Sequence, residues 1–536
     1  MSANLANEIA RRRTFAIISH PDAGKTTMTE KLLLYGGAIH MAGAVKSRKA
    51  NRHATSEWME IEKQRGISVT SSVMQFEYNG FCINILDTPG HQDFSEDTYR
   101  TLVAADAAVM LIDGARGVEA QTIKLFEVCR QRGIPIFTFV NKMDRAAKNP
   151  FDLMDELEKV LGIFSVPINW PIGTEGDFRG VYNRKHKRIE LFDRQKDDHG
   201  ASMVKLKATN LQDERLAEQI GSHHHEQLMN DIELLDIAGD DFDEKRILAG
   251  ELTPIFFGSA ISNFGVEPFL NEFLSMAPPP TPRNSDQGAI NPSSNFFSGF
   301  VFKIQANMNP DHRDRMAFIR ICSGRFTKGL EALHQRTGRT VRLAQPQQFM
   351  AQDRNIVEEA YAGDIIGIFD PGNFRIGDSL TEGSQAIRFE DIPVFPPEHF
   401  ARVAPADSMK RKQFLKGIEQ LAEEGAIQLY KEPDIGTETY IIGVVGVLQF
   451  DVLTHRLKAE YKVDIRIQPL NYSHARWALP DSSGKLPDPR SLNLTSTTMV
   501  VLDKDDQPVL LFESEWAIDW ARQRNDGLLL VSIHGA

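Results

Sequence analysis

In the first part of the chain, hydrophobic residues form short continuous runs, separated by longer stretches of mixed polarity. Amphipathic segments at Met28 to Tyr35 and Val118 to Gln131 predict helices. Strands that alternate with helices predict an α/β domain with a mostly parallel, doubly wound sheet. Four apolar runs have the length of buried strands: Thr14 to Ile18, Phe81 to Leu86, Ala107 to Ile112 and Ile134 to Val140.

A further strand of this sheet is predicted much later, at Pro254 to Gly258. The interval from Asp144 to Ser259 is 115 residues, several times what one strand and one helix need. We therefore expect a first domain over residues 1–280, with an inserted subdomain at about 162–250.

The proline-rich segment Ala277 to Pro282, followed by a polar stretch to Asn295, predicts a stiff linker and a domain boundary. Short apolar runs separated by turn residues follow it, which is typical of a β-barrel, here assigned to residues 281–392. Residues 393–536 begin with the order β-α-β-β-α-β, which predicts an α+β domain with a split βαβ, ferredoxin-like fold. After about residue 475 a divergent tail is expected to add strands and a short helix at Glu513 to Arg524.

The net charge of −12 argues against a protein that coats nucleic acid nonspecifically. Three cysteines without paired spacing suit buried thiols in a reducing cytoplasm, and no run of 18 apolar residues predicts a membrane segment. Contact with RNA would depend on local basic runs, for which a solvated surface is the alternative interpretation. These runs are Lys46 to His53, His312 to Arg325, Arg336 to Arg342 and Lys410 to Lys416.

The turn between the first strand and the first helix has the composition of a phosphate-binding loop. Backbone N–H groups at a helix N-terminus attract phosphate, Lys25 can reach the β- and γ-phosphates, and the Thr26 hydroxyl can bind Mg²⁺. The usual pattern of such a loop opens with glycine, and this chain has Ser19 at that position. The hydroxymethyl group of serine crowds the turn. The loop reads Ser19-His20-Pro21-Asp22-Ala23-Gly24-Lys25-Thr26-Thr27.

The second strand ends in a motif that complements this loop, Asp87-Thr88-Pro89-Gly90-His91. An acidic residue at this strand end is where a phosphate-loop enzyme holds Mg²⁺. Pro89 and Gly90 free a backbone N–H for the γ-phosphate. An ordinary tight turn is the alternative for this segment taken alone.

The fourth strand ends in Asn141-Lys142-Met143-Asp144. The Asp144 carboxylate can accept hydrogen bonds from N1–H and the exocyclic amine of guanine, which adenine cannot supply. Lys142 would lie along the base and Asn141 would tie the loops together, while a backbone N–H of the Ser259-Ala260 turn would contact the guanine carbonyl. The sequence therefore favours GTP over ATP.

Together with Arg65 to Ser68, these segments stand in the order of the five nucleotide motifs of the translational GTPases, which the chain resembles. Three further runs resemble the bacterial peptide chain release factor 3 family: Gly299 to Asn309, His312 to Arg320 and Gly443 to Tyr461.

The resemblance implies a ribosome-dependent GTPase of translation termination that uses GTP, GDP and Mg²⁺. It would promote dissociation of class I release factors from the ribosome after peptide release. Its expected partners are the ribosome and class I release factors, and it is expected to be a cytoplasmic monomer. Two alternatives remain open: another ribosomal GTPase, acting in translocation or stress, and a nonenzymatic nucleotide-gated binding module.

The resemblance also implies residue roles. Lys25 would offset charge on the phosphates and His91 would orient the attacking water, which makes both catalytic. Pro21 and Ile67 would form an apolar gate that holds His91 away until the ribosome repositions it. The Mg²⁺ ligands would be Thr26, Asp87 and Ser68, the last in a position where the family commonly has Thr.

Overall fold

The computed structural model describes most of the chain. The described residues are 2–37, 69–173, 177–192, 206–211, 216–306, 315–344, 346–350, 353–392, 394–433, 439–479 and 491–532.

The first domain is built on a seven-stranded sheet in the order β2-β3-β1-β4-β5-β11-β6, in which β2 is antiparallel to β3 and the other pairs are parallel. The predicted doubly wound sheet is thus confirmed. Its strands and those of the insertion are β1 (Arg12–Ser19), β2 (Ser72–Tyr78), β3 (Phe81–Asp87), β4 (Ala107–Asp113), β5 (Ile136–Asn141), β6 (Phe164–Pro167), β7 (Asn169–Ile172), β8 (Gly180–Asn183), β9 (Arg188–Phe192), β10 (Leu206–Asn210) and β11 (Leu252–Phe257). The helices are α1 (Ser2–Ala10), α2 (Lys25–Tyr35), α3 (Ser95–Val103), α4 (Ala120–Gln131), α5 (Pro150–Leu161), α6 (Leu216–Ile220), α7 (Ser222–Ala238), α8 (Glu244–Leu248) and α9 (Val266–Met276).

Strand β4 shows why the central strands are continuous apolar runs. Ala108 and Met110 belong to one hydrophobic cluster, with Leu125 of α4. Val109 belongs to a second cluster, with Leu32 of α2. Since helices cover both faces of the sheet, every residue of such a strand is buried, and the pattern loses its alternation.

The inserted subdomain contains an antiparallel sheet in the order β10-β9-β8-β7, accompanied by α6 and α7. One segment predicted to lie in this insertion belongs elsewhere. Strand β6 pairs in parallel with β11, with Leu252 opposite Phe164, and so forms an edge of the main sheet. Its four residues carry no signal that distinguishes the two sheets.

The second domain follows the linker and has eight strands in the order β16-β15-β21-β12-β13-β20-β17-β18, with β14 and β19 as a separate pair. A single core contains residues from distant strands, including Val301, Ile319 and Leu380. The strands are β12 (Ser298–Ala306), β13 (Arg315–Ser323), β14 (Arg325–Thr327), β15 (Glu331–His334), β16 (Arg339–Arg342), β17 (Gln347–Met350), β18 (Asp353–Ile356), β19 (Glu359–Tyr361), β20 (Ile365–Phe369) and β21 (Ser379–Glu382).

The third domain confirms the split βαβ prediction, because its antiparallel sheet has the order β23-β24-β22-β25 with two helices packed on it. The tail forms a second sheet, β27-β28-β26-β29. Trp477 of that sheet shares a core with Phe400 and Tyr430, so the tail covers the third domain's other face. The elements are β22 (His399–Pro405), α10 (Arg411–Glu423), β23 (Gln428–Tyr430), β24 (Tyr440–Val444), α11 (Leu448–Tyr461), β25 (Ile465–Leu470), β26 (His474–Ala478), β27 (Met499–Leu502), β28 (Pro508–Phe512), α12 (Glu515–Arg524) and β29 (Leu530–Val531). Short 3-10 turns, Gln92–Phe94 and Ser408–Lys410, precede α3 and α10.

The first and second domains are joined by buried ion pairs. Asp106, whose side chain is fully buried, pairs with Arg320 of the second domain and lies 2.9 Å from Arg283 of the linker. Asp364 of the second domain accepts from Arg12 at 2.7 Å and from Gln75 at 3.1 Å. Because buried carboxylates need such partners, they hold the two domains in one relative position.

No helix within the described ranges is both long and apolar enough to cross a membrane.

We expect Asp106→Ala to destabilise the junction between the first two domains. The substitution leaves the buried guanidinium groups of Arg320 and Arg283 without their shared carboxylate. Such a loss costs about 3–5 kcal/mol, which chemical denaturation would detect as a lower unfolding midpoint. Asp155→Ala is the control, because Asp155 is 58% exposed and pairs with exposed Lys159. Equal midpoints for the two variants would contradict the assignment.

Candidate nucleotide-binding site

The phosphate loop connects the carboxyl end of β1 to the amino end of α2, as predicted. Gly24, the residue before the helix, has φ of 100°, a conformation that favours glycine. A Cβ at Gly24 would also lie 2.3 Å from Nδ2 of Asn141. Both the backbone and the neighbour therefore require glycine at this position.

Two residues of the predicted phosphate loop have buried polar atoms without a partner in the described part of the chain. The Ser19 hydroxyl and Nδ1 of His20 have no hydrogen-bond partner within the described residues. His20 Nε2 lies 3.5 Å from Glu119 Oε1. Buried polar atoms usually have a hydrogen-bond partner. These two atoms are therefore consistent with a site in which a polar ligand supplies the missing partners. Asp22 is exposed and has φ of 65°, while Ala23 is buried in the core under the loop.

Lys25 and Asp87 meet at the carboxyl edge of the sheet. The parallel register of β1 and β3 places Ile17 opposite Asp87. Lys25 Nζ donates to Asp87 Oδ1 at 2.6 Å, and the two side chains are only 6% and 2% exposed. The next residue, Thr88, donates its hydroxyl to Ile17 O at 2.7 Å. The phosphate loop and the Asp87 motif thus form one structure.

The donor set at this edge suits a hard divalent cation. Thr26 stands in the first turn of α2 with a half-buried side chain, and Asp87 supplies a carboxylate. Hydroxyl and carboxylate oxygens are the ligands that Mg²⁺ takes together with phosphate oxygens. Among the described residues no cluster of three His, Cys, Asp or Glu side chains could hold a metal by itself. The third predicted ligand, Ser68, lies outside the described residues.

His91 ends the Asp87 motif and is the N-cap residue of the 3-10 turn Gln92–Phe94. A Cβ at Gly90 would lie 3.5 Å from Pro21, so the two loops are in contact there. The His91 side chain is 33% exposed. Its Nδ1 accepts the backbone N–H of Asp93 at 3.2 Å, which orients the ring. Pro21 is therefore beside the motif that carries His91, while Ile67, its predicted partner in the gate, lies outside the described part of the chain.

The carboxamide of Asn141 connects three loops. Its Nδ2 donates to Ala23 O in the phosphate loop at 2.8 Å. Its Oδ1 accepts from the backbone N–H groups of Lys142 and Ala260, each at 2.8 Å. This single side chain therefore links the phosphate loop to the Asn141–Asp144 loop and to the Ser259-Ala260 turn. These three loops hold fixed positions relative to one another.

Lys142 has φ of 69° and extends across the end of β4. Its Nζ donates to Asp22 O and to Asp113 Oδ2, both at 2.6 Å. Burial would raise the pKa of Asp113, but hydrogen bonds from Lys142 and from the backbone N–H of Ala115 lower it below its usual range. Asp113 was not among the predicted site residues, although an acidic residue at the end of a parallel strand was a usable signal.

The Asp144 carboxylate lies beside the Ser-Ala turn. Ser259 donates its hydroxyl to Asp144 Oδ1 at 2.6 Å, which fixes the carboxylate at the loop's edge. Met143 is fully buried in the hydrophobic core, so its side chain supports the loop from below.

The contact of the Ser-Ala turn with the guanine carbonyl stays a prediction, and two N–H groups of the turn have protein partners. The Ser259 N–H donates to Phe264 O at 2.9 Å, and the Ala260 N–H donates to Asn141 Oδ1 at 2.8 Å. Both N–H groups therefore serve protein acceptors. The turn holds Asn141 in place, a role that only the folded loop reveals.

One residue of the predicted basic runs, Arg336, has its contacts within the second domain. Arg336 donates to both carboxylate oxygens of Asp378, at 2.7 and 2.9 Å, and to Asn373 O. Burial would raise the pKa of Asp378, but His334 and Arg336 lower it to about 2. Arg336 thus supports the second domain internally. Lys46 to His53 lies outside the described residues, as do His312 to Asp314.

Three family models match successive parts of the chain. The "Elongation factor Tu GTP binding domain" matches residues 10–279, and "Elongation factor G domain 2" matches residues 296–383. The "Class II release factor RF3, C-terminal domain" matches residues 389–522.

Several curated proteins are similar over their full length. The protein named "Peptide chain release factor 3" of Symbiobacterium thermophilum is 59% identical over 526 residues, covering 98% of this chain and 98% of its own. Proteins of the same name from Listeria innocua and Rippkaea orientalis are 55% and 53% identical, covering 99% and 97% of this chain and 100% and 96% of theirs. A crystal structure of a Thermus thermophilus protein has a similar fold, with a TM-score of 0.69 at 22% identity over 92% of this chain and 73% of its own.

We expect Asn141→Ala to weaken guanine nucleotide binding by about 150-fold, since it removes three hydrogen bonds worth about 1 kcal/mol each. Titration with a fluorescent GDP analogue would measure the loss. Asn149→Ala is the control, because Asn149 caps α5 by accepting from Phe151 N–H on the solvent side of the domain. An unchanged affinity in Asn141→Ala would show that the loops keep their positions without this side chain.

Proposed function

This chain belongs to the peptide chain release factor 3 family of translational GTPases, and on that premise we propose that it is a ribosome-stimulated GTPase of translation termination. In its GTP form it promotes dissociation of class I release factors from the ribosome after peptide release. The observation that carries the proposal is the similarity at 59% identity over 98% of both chains to a protein named for that family. The protein acts in the cytoplasm as a monomer, with the ribosome and class I release factors as partners.

Lys25 is the main cationic group for the phosphates in this proposal. Its ammonium is buried beside Asp87, in surroundings that strengthen its attraction for phosphate oxygens. The N–H groups at the start of α2 add fixed partial charge from the helix end. Together they offset the charge that builds on the β–γ bridging oxygen and the γ-phosphate during transfer.

Mg²⁺ would be held by Thr26 directly and by Asp87 in its outer shell, and Ser68 remains a proposed ligand. When bound, the ion neutralises phosphate charge and fixes the phosphates in place.

His91 orients the attacking water in this proposal. Because Nδ1 accepts the Asp93 N–H, a neutral ring carries its proton on Nε2. An Nε2–H can hold a water by donating to its oxygen, while the partly exposed ring has room to turn. The ribosome would supply the change in position that brings this nitrogen to the γ-phosphate.

Guanine is selected by Asp144, which accepts two hydrogen bonds from the base edge. Ser259 donates to one oxygen of the carboxylate and keeps it directed at the pocket. Adenine would leave the carboxylate without its donors, which costs more than the lost bonds alone.

The proposal is tested by GTP hydrolysis with the protein alone, with ribosomes, and with ribosomes stalled at a stop codon with a class I factor bound. We expect stimulation by ribosomes and, in the third condition, release of the factor. In His91→Ala, GTP binding should persist while stimulated turnover falls about 100-fold, as expected for loss of a group that positions the attacking water. His223→Ala is the control, since His223 is exposed on α7.

Stimulation without factor release would instead favour a ribosomal GTPase acting in translocation or stress. Undiminished turnover in His91→Ala would refute the role of that histidine.

We expect Asp144→Asn to weaken GTP binding by about 100-fold and to shift preference toward xanthine nucleotides. An amide in place of the carboxylate donates where guanine also donates, whereas xanthine offers a carbonyl at that edge. Competition between GTP and XTP would measure the shift, with Asp155→Asn as a matched control on an exposed carboxylate. Retained GTP selectivity would remove Asp144 from base recognition.

A further inference from the structure

The turn that carries His91 is held by the third domain. Asp93 lies two residues after His91, and its Oδ2 accepts the backbone N–H of Leu448 at 2.8 Å. Leu448 is the first residue of α11 in the third domain. This hydrogen bond thus joins two residues that are 355 positions apart in the sequence, and one of them lies two residues after the histidine.

This contact is a helix cap supplied by another domain. Val447, at the N-cap position of α11, provides no side-chain cap. The Asp93 carboxylate caps the helix instead, by accepting the Leu448 N–H. Its negative charge lies at the positive end of a helix of 14 residues. The carboxylate therefore has a strong electrostatic reason to stay with α11.

The same carboxylate also contacts His91. Asp93 Oδ1 lies 3.3 Å from His91 Nδ1, and the Asp93 N–H donates to that nitrogen at 3.2 Å. Asp93 thus holds the imidazole through its backbone N–H and holds α11 through its carboxylate. Any movement of α11 that carries Asp93 with it changes what holds the ring.

The loop before α11 has no room for a larger residue. A Cβ at Gly446 would lie 2.1 Å from Asp93 Cγ and 2.5 Å from Asp93 Oδ2. Gln449 fixes this loop by accepting the N–H groups of Val445 and Gly446 at 2.8 and 3.0 Å. Glycine at position 446 is therefore what lets the third domain approach the carboxylate.

Further contacts hold the rest of this segment to the third domain. Phe94 packs in a small apolar cluster with Val452 of α11. Arg100 of α3 donates to Gly425 O at 3.2 Å, and a Cβ at Gly425 would lie 2.0 Å from Arg100. The 3-10 turn and α3 thus each contact the third domain.

We infer that Asp93 is a positioning residue for His91, and that by capping α11 it makes the placement of the imidazole depend on the third domain. The inference rests on the proposed ribosome-stimulated GTPase. The third domain thereby acts on hydrolysis without touching the nucleotide.

Three variants test the inference with the full-length protein. Asp93→Ala removes the acceptor for Leu448 N–H and is expected to lower the kcat of ribosome-stimulated hydrolysis about tenfold. The KM for ribosomes and the affinity for a fluorescent GDP analogue should stay within twofold of wild type. Asp93→Asn keeps an oxygen acceptor and should recover kcat to within about threefold, and Gly446→Ala should lower kcat as Asp93→Ala does. Asp464→Ala is the control, because Asp464 is an exposed carboxylate of the third domain paired with exposed Lys458.

A measurement without ribosomes separates this inference from the proposed function. In the GDP-bound protein, the imidazole ¹⁵N resonances of His91, identified by their loss in His91→Ala, should shift in Asp93→Ala and Gly446→Ala and stay in place in Asp464→Ala. Shifted resonances in a protein that ribosomes do not stimulate would support the inference and sink the proposed function. Wild-type kcat and unshifted resonances in Asp93→Ala would overturn the inference, as would an Asn variant as impaired as the Ala variant.

Discussion

The parallel pairing of β1 with β3 and β4 is the constraint on which the site depends. In that register the ends of all three strands reach one edge, so the phosphate loop, Asp87 and Asp113 lie within side-chain reach of one another. The strands can be parallel only because helices cover both faces of the sheet. Burial of the sheet and convergence of the polar loops are therefore two results of one arrangement.

Above that edge, short hydrogen bonds turn converging loops into a fixed pocket. Asn141 ties the phosphate loop to the base loops, and Lys142 crosses from the base loop to Asp22 and Asp113. Since each connection joins residues distant in sequence, the pocket exists only in the folded domain. Family membership supplies the chemistry expected of this pocket, and the geometry supplies the reason these residues meet.

The three domains contribute unequally to the region around His91. The second domain is joined to the first through the buried carboxylates of Asp106 and Asp364. The third domain instead contacts the 3-10 turn and α3, through Asp93 and Arg100. The third domain therefore contacts the turn that follows the histidine directly.

Local pattern alone predicted much of this protein. Continuous apolar runs indicated buried parallel strands, and polar motifs at their ends indicated guanine nucleotide binding, because strand period, burial and turn chemistry are properties of neighbouring residues. Other features depended on contacts across the fold. Strand β6 pairs with the main sheet, Arg336 donates to Asp378, and the N–H of Ala260 donates to Asn141. In each case the partner is remote in sequence. The sequence by itself determined the elements and their chemistry. The tertiary structure decided which polar groups pair with one another, because those pairs join positions that are far apart in the chain.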